Sequence, residues 1–251
     1  MSDIKMQHPD YDNKHTLKSI FTPADLLSCR RRKRAPIPRD IIIIYDPGLF
    51  KRITARYAPQ KTGQPLYGAT LYRYKEITIA RMKGIGAPHA AAVLEELIAC
   101  GGKRFFNVST AGGLAKPGIY LCTKALRDEG TSRHYLKPAR YAFPDQELFN
   151  TVAEELNKAE VEYSRAPTWT TDAPYRETRE EITSYSREGI ATVDMETAAL
   201  FAVAACRRVQ CVSMFAVSDL LSGEWEPLFH KTGVKKQLDT IFEIAAVSLG
   251  K

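Results

Sequence analysis

The stretch Ile41-Ile42-Ile43-Ile44-Tyr45-Asp46-Pro47-Gly48 decides the class of fold. Four isoleucines in a row favour an extended backbone, because branching at Cβ restricts χ1 and suits a pleated surface. Successive side chains in a strand point to opposite faces, so both faces of this one are apolar and both must be covered. Asp-Pro-Gly then stops the run with residues that favour turns. A short strand buried on both sides belongs to an α/β sheet flanked by helices.

The rest of the chain supports that class. Residues 68–74 and 76–81 read as short strands, and residues 105–109 as a buried one running into Ala111-Gly112-Gly113. Residues 88–100 carry Ala91, Leu94, Leu97 and Ile98 at helical spacing and stop at Gly101-Gly102, as helix C-termini do. Residues 145–160 put Leu148, Val152 and Leu156 on one face, and 177–188 also fit a helix. A short apolar stretch, 190–193, leads into an alanine-rich helix over 194–208 that Asp194-Met195-Glu196 opens. A buried strand over 211–217 and a closing helix over 235–249, with Leu238, Ile241, Ile244 and Val247, complete the series. Such alternation predicts a single α/β domain over 41–251 with a largely parallel sheet. Residues 1–40 are polar, then basic, then proline-punctuated, and read as an N-terminal arm with one short helix around 23–29.

Composition narrows the function. A chain of 251 residues, 44% apolar and 26% charged, buries a core without disulfides or metals to staple it. No apolar run approaches the ~20 residues of a membrane helix, and residues 1–15 lack the apolar centre of a signal peptide. Five cysteines without a CxxC pair argue against a zinc knuckle or redox pair and fit a reducing cytoplasm. The net charge is +7, and Arg30, Arg31, Arg32, Lys33 and Arg34 stand together. Such a cluster can neutralise nucleic-acid phosphates. No aromatic residues interleave with it and no nucleic-acid module is present, so the expectation is a solvated arm or subunit contact.

Ligands of open α/β sheets bind at the carboxyl ends of strands. Four such ends carry suggestive residues: Asp46-Pro47-Gly48, Lys83-Gly84-Ile85-Gly86, Ser109-Thr110-Ala111-Gly112-Gly113 and Ser218-Asp219. Glycine turns let a phosphate or sugar hydroxyl approach backbone N–H groups, although glycine after a strand is also an ordinary turn. Asp194 and Glu196 would complement a helix dipole. That role does not account for their combination with Ser218-Asp219.

The run Thr192-Val193-Asp194-Met195-Glu196-Thr197-Ala198-Ala199-Leu200 resembles the signature helix of the nucleoside phosphorylase superfamily, which includes purine nucleoside and uridine phosphorylases and the methylthioadenosine and AMP nucleosidases. Tyr45-Asp46-Pro47-Gly48 is similar to its phosphate-loop start, residues 83–88 to its second glycine turn and residues 107–114 to its third. Leu126-Arg127-Asp128-Glu129-Gly130-Thr131-Ser132 resembles a segment of the uridine phosphorylase branch, and Thr170-Thr171-Asp172 and Val217-Ser218-Asp219 complete the set. The resemblance spans roughly residues 41–249. It implies a three-layer α/β/α sandwich around a mixed, partly barrel-like sheet, and a homo-oligomer, either a dimer or a hexamer of dimers. The implied partner is a small-molecule nucleoside, with no membrane.

The resemblance also implies roles. Glu196 would accept from the ribose hydroxyls, Met195 would pack beneath the sugar, and Asp219 would stabilise the departing base. General acid help of that kind is worth ~10²–10⁴ in rate. Thr110 would face sugar or phosphate. Tyr175 or Trp169 would stack on the base, with Arg176 reaching its carbonyl; core packing and a solvated helix charge are the competing readings. Gly84, Lys83 and Arg127, with Thr110, are candidates for phosphate. No metal and no cofactor are expected, inorganic phosphate being the cosubstrate.

The chain departs from the pattern where phosphate would be held. Tyr45 stands in the glycine place, Leu49 and Asn107 in two arginine places, and Gln64 near the place of an arginine lent by a neighbouring subunit. Bidentate guanidinium contacts are the strong phosphate binders. Asn107 with Ala111-Gly112-Gly113 resembles the nucleosidases, yet Pro47-Gly48-Leu49-Phe50 lacks their water-activating glutamate. Lys83, Lys51, Arg52, Arg81, Arg127 and Arg133 are cations near the relevant loops, Lys83 foremost. Phosphorolysis is favoured slightly over hydrolysis, with a nucleoside-binding protein of weak or no catalysis as a further alternative. Asp219 leans the substrate toward a purine, and residues 126–132 lean it toward uridine.

Overall fold

Strand and helix alternate along this computed structural model, which describes residues 13–29, 36–63 and 66–250. In chain order the elements are α1 (Pro23–Cys29), β1 (Asp40–Ile44), α2 (Pro47–Tyr57), β2 (Gln60–Lys61), β3 (Ala69–Tyr74), β4 (Ile77–Met82) and α3 (Ala87–Ala99). Then follow β5 (Arg104–Gly113), β6 (Ile119–Asp128), β7 (Tyr141–Ala142), α4 (Gln146–Lys158), β8 (Ser164–Thr171) and α5 (Arg179–Arg187). The chain closes with β9 (Thr192–Asp194), α6 (Thr197–Arg207), β10 (Gln210–Leu220), β11 (Glu226–Pro227) and α7 (Thr232–Leu249). Arg30 to Arg34 and Gln64 lie outside the described residues.

β1 runs between β4 and β5, parallel to both, and all four isoleucines are fully buried. Their alternation divides them between two cores. Ile41 and Ile43 pack with residues of α3 and α6, and Ile42 and Ile44 with residues of α2, α4 and α7. The sheet is thereby the middle of three layers, as the isoleucine run required.

The sheet is mixed, not largely parallel as the helix–strand alternation suggested. β3–β4, β5–β9 and β6–β10 pair antiparallel, while β6–β8, β8–β9 and β5–β10 pair parallel. The parallel pairings together with antiparallel β6–β10 and β5–β9 close a ring, β5-β10-β6-β8-β9, so the sheet curls into a barrel at one end. Closure depends on close approach at Gly112 and Gly113. A Cβ at Gly112 would lie 2.9 Å from both Leu221 Cδ1 and Val193 Cγ1, and one at Gly113 would lie 2.8 Å from Val217 Cγ1. The glycines expected to form a turn are therefore the end of a ten-residue strand, where a bare backbone lets neighbouring strands meet.

Besides the two-residue strands β2, β7 and β11, three elements escaped the sequence reading: α2, β6 and β8. Pro47-Gly48 looked like a stop, but proline is favoured in a first helical turn; Asp46 caps α2 by accepting from the Leu49 N–H. The strands β6 and β8 mix polar with apolar residues and lack a clean alternation. In addition, α6 begins at Thr197 rather than Asp194, because Asp194 is still in β9, and Met195 and Glu196 form the turn between them.

Candidate active site

The carboxyl ends of β9 and β10 carry the acidic residues, and the loop after β4 supplies a backbone donor to one of them. Asp194, at the end of β9, is a buried organiser. Its Oδ1 accepts from Thr170 Oγ1 at 2.7 Å, and its Oδ2 accepts from the backbone N–H groups of Glu196 at 3.1 Å and Thr197 at 2.8 Å. Thr170 in turn accepts from the Ala198 N–H at 3.1 Å. The first turn of α6 thus hangs from β8 and β9, and Glu196 is held in a fixed direction.

Glu196 is 4% exposed and accepts from the Gly86 N–H at 2.6 Å, with the Met195 backbone also favouring its ionised form. Gly86 has φ +97° and precedes α3, a backbone that side-chain-bearing residues rarely adopt. The second glycine turn therefore aims a backbone donor at this carboxylate. Burial, and then the charge of Asp194, push the Glu196 carboxyl up to about 7. A carboxylate has about four lone-pair sites, so two backbone donors leave acceptor capacity for neighbouring hydroxyl donors. Met195 beside it is half-buried. The Tyr45 hydroxyl is buried without a hydrogen-bond partner among the described residues; burial, then Glu196 and Asp194, push it well above the ordinary range.

A register shift between Val217 and Asp219, where β10 pairs with β5, re-aims the end of that strand. Asp219 accepts from Ser218 Oγ at 2.9 Å and from Trp225 Nε1 at 2.9 Å. Glu177, after the 3₁₀ turn Pro174–Arg176, is half-buried and has no side-chain hydrogen bond among the described residues. Burial, then the charges of Asp219 and Glu181, push its carboxyl up to about 7. A small cavity of about 140 Å³ opens beside these strand ends, lined by Asp46, Gly48, Arg52, Thr110, Ser218 and Lys235 among others.

The sequence profile of the phosphorylase superfamily matches residues 39–246. This chain belongs to that superfamily. Its relatives include a guanosine phosphorylase of Halorubrum lacusprofundi, 28% identical over 65% of this chain and 70% of the relative. A uridine phosphorylase of Treponema pallidum is 28% identical over 74% of this chain and 79% of its own length. Among solved structures, the uridine phosphorylase of Vibrio fischeri superposes with a TM-score of 0.71 at 24% identity, covering 88% of this chain and 98% of the other. The AMP nucleosidase of Bacteroides thetaiotaomicron superposes at 0.72 and 20% identity, covering 90% and 98%. Likeness at these identities shows the shared fold, and the fold is common to phosphorylases and nucleosidases alike.

Within the superfamily frame, the expected site residues fall into two groups. Glu196, Met195, Thr110, Asp219 and Gly84 lie at or beside the strand ends. Others do not join them. Trp169 is 1% exposed, its ring edge-on to Tyr185 at 4.9 Å and its Nε1 donating to Asp128 at 2.9 Å, so it is a core residue rather than a stacking platform. Arg127 spends its guanidinium on Ser132 Oγ at 2.8 Å and on the carbonyls of Lys137 and Ala139 at 3.0 and 3.2 Å; it fastens a loop and is not open to phosphate. Tyr175 is 99% exposed, and Arg176 and Lys83 are exposed as well. Leu49 and Asn107, in the arginine places, are fully buried, and Asn107 donates to Ser213 Oγ at 3.2 Å.

Sequence reasoning missed Glu177 and Lys235. Glu177 sat next to Ala173-Pro174-Tyr175-Arg176, a segment already marked for base contact, so its neighbourhood was a signal. Lys235 had none, being one more cation in the closing helix. Among the described residues no three His, Cys, Asp or Glu side chains gather to hold a metal ion, and no helix is long and apolar enough to cross a membrane.

Proposed function

We propose that this protein cleaves the N-glycosidic bond of a nucleoside, purine in preference to pyrimidine, and passes the sugar to inorganic phosphate. The observation that carries the reading is Glu196: a buried carboxylate, held by the Gly86 N–H, on the turn after β9, the strand that flanks β5 at Gly112 opposite the Asp219 end of β10. Its two oxygens accept from the ribose hydroxyls and hold the sugar as positive charge builds at C1′. The C1′–N bond breaks with its electron pair going to the base. The departing base nitrogen takes a proton or a hydrogen bond from the Asp219 side, where Glu177 supplies a second carboxyl. A phosphate oxygen then bonds to C1′, giving ribose 1-phosphate and free base. Met195 packs under the sugar and Thr110 faces the phosphate. Tyr175 and Arg176 remain candidates for base contact from the exposed turn after β8.

Hydrolysis is the second reading. It is favoured by the buried Leu49 and Asn107 in the places of phosphate arginines. A homo-oligomer in a cytoplasmic setting completes the proposal. Exposed Ile20, Phe21 and Ile85 supply apolar surface for a second copy, and free cysteines fit a reducing compartment.

A panel of purine and pyrimidine nucleosides, incubated with and without phosphate, tests the reading. Ribose 1-phosphate identifies a phosphorylase and free ribose a nucleosidase. Binding without product identifies a nucleoside-binding protein. Glu196→Ala abolishes turnover, and unchanged turnover refutes the site.

A further inference from the structure

The end of β10 is followed by a hairpin that returns an aromatic ring to it. β11 pairs antiparallel with β10, Leu220 opposite Glu226 and Asp219 opposite Pro227, and the Leu228 N–H donates to the Ser218 carbonyl at 2.8 Å. The hairpin is anchored at both ends of its turn. The Leu221 N–H donates to the Gly113 carbonyl at 2.9 Å, and Leu228 is buried in the core that α4 and α7 line. The turn 221–225 therefore delivers its last residue, Trp225, to a fixed place.

Trp225 spends its side-chain polar group on Asp219. An indole N–H can only donate, and Nε1 lies 2.9 Å from Asp219 Oδ2. Ser218 Oγ holds the other oxygen, Oδ1, at 2.9 Å. Oδ2 lies over bare backbone, since a Cβ on Gly112 would stand 3.7 Å from it. A carboxylate held through one oxygen can pivot about its side-chain bonds, and donors on both oxygens fix its plane. Ser218 is the chain neighbour of Asp219 and comes with the strand. Trp225 comes from the returning strand, so the hairpin decides the direction in which the carboxylate points. The ring is 60% exposed and lies 6.4 Å from that of Phe229, centroid to centroid. Its hydrogen bond, more than its burial, accounts for its place.

We propose that Trp225 is a positioning residue for base recognition: its indole N–H turns the Asp219 carboxylate toward the edge of a purine. The inference rests on the reading that Asp219 faces the base. It adds the residue that sets the direction of that contact, a role filled neither by Trp169, packed in the core, nor by the exposed Tyr175. Hydrogen bonds weaken steeply below ~120°, so a carboxylate free to pivot loses its hold on the base without losing its charge.

Equilibrium dialysis of the full chain against adenine and hypoxanthine reads the contact without turnover, since a free base has no glycosidic bond to cleave. Asp219→Ala and Trp225→Phe each raise the dissociation constant about tenfold, equivalent to ~1.4 kcal/mol; the phenyl ring keeps the packing on Phe229 and lacks the N–H. The double variant binds no more weakly than Asp219→Ala alone, because a residue that acts through another adds nothing once that other is gone. Asp219→Ser is the background if the alanine variant does not fold. Emission gives a second readout. The chain has two tryptophans and Trp169 is buried, so acrylamide quenching reports Trp225, and Asp219→Ala increases it by freeing the indole. Unchanged base binding in Trp225→Phe, losses that multiply in the double variant, quenching unaffected by Asp219→Ala, or a wild type that binds neither base overturns the proposal. Nucleoside turnover is judged separately. Coupled losses in a protein that cleaves no nucleoside refute the proposed reaction and leave Trp225 in its role, whereas cleavage with independent losses refutes the role and leaves the reaction.

Discussion

Glu196→Gln probes the fold and the site together. The amide keeps the side chain's size and an oxygen for the Gly86 N–H, but it cannot ionise. In the wild type, burial and then Asp194 lift the Glu196 carboxyl from 4.5 to about 7. The folded state therefore holds this proton more tightly than the unfolded chain does. The resulting stabilisation is fully present below the unfolded value and is lost as the pH rises through about 7. At ~1.36 kcal/mol for each tenfold in proton affinity, the difference is about 3 kcal/mol. Glu196 is 4% exposed, so water screens little of it, although part of the repulsion is shared with Asp194. Urea unfolding followed from pH 5 to pH 8 measures the effect. The wild type loses up to about 3 kcal/mol relative to the variant across that window. Parallel curves for the two proteins, or a wild type that gains on the variant with rising pH, would refute the assignment. Turnover gives the second readout. Charge-assisted hydrogen bonds are worth ~1.5–3 kcal/mol each, so losing the carboxylate from two ribose hydroxyls costs about 10²–10⁴ in kcat/KM. A loss of less than tenfold removes Glu196 from the sugar.

The other expectations concern neighbouring residues. Arg127→Met costs about 1–3 kcal/mol in urea unfolding, because carbonyls and Ser132 lose their donor; a raised phosphate requirement at an unchanged unfolding midpoint would return Arg127 to the anion site. Gly112→Ala drives a methyl to 2.9 Å from Leu221 and Val193 and lowers stability by about 1–3 kcal/mol, and a melting temperature equal to the wild type's contradicts the close approach that shapes the barrel. Glu177 is protonated below about 7, so a role as proton source makes kcat/KM fall as the pH rises through that value. Glu177→Gln flattens the fall, and its persistence excludes Glu177 from that role.

Much of the architecture was legible in local sequence. The isoleucines of β1, the stripe of α4 and the glycines ending α3 each reflect a preference that a few adjacent residues express by themselves. The ordered motifs placed Asp219 at a strand end and Glu196 at the opening of the helix after a short strand, because a strand followed by a turn or helix start puts such residues there whatever their partners are. What failed locally failed for physical reasons. Pro47-Gly48 is a stop in one context and a helix start in another, and the Asp46 cap is what distinguishes them. Ala111-Gly112-Gly113 continues a strand because Val193, Val217 and Leu221 crowd it from elsewhere in the chain.

The sequence by itself thus determined the central strand β1, most of the helices and which carboxylates stand near element ends, since propensity and side-chain periodicity act over a turn or two. Only the tertiary structure decided which cations are available. Arg127 looked suited to phosphate until loop carbonyls claimed it. Arg52 and Lys235, 183 residues apart, meet at one cavity because α2 and α7 pack on the same face of the sheet. Long-range pairing of that kind depends on the closed barrel and the packed helices, and no local pattern encodes it.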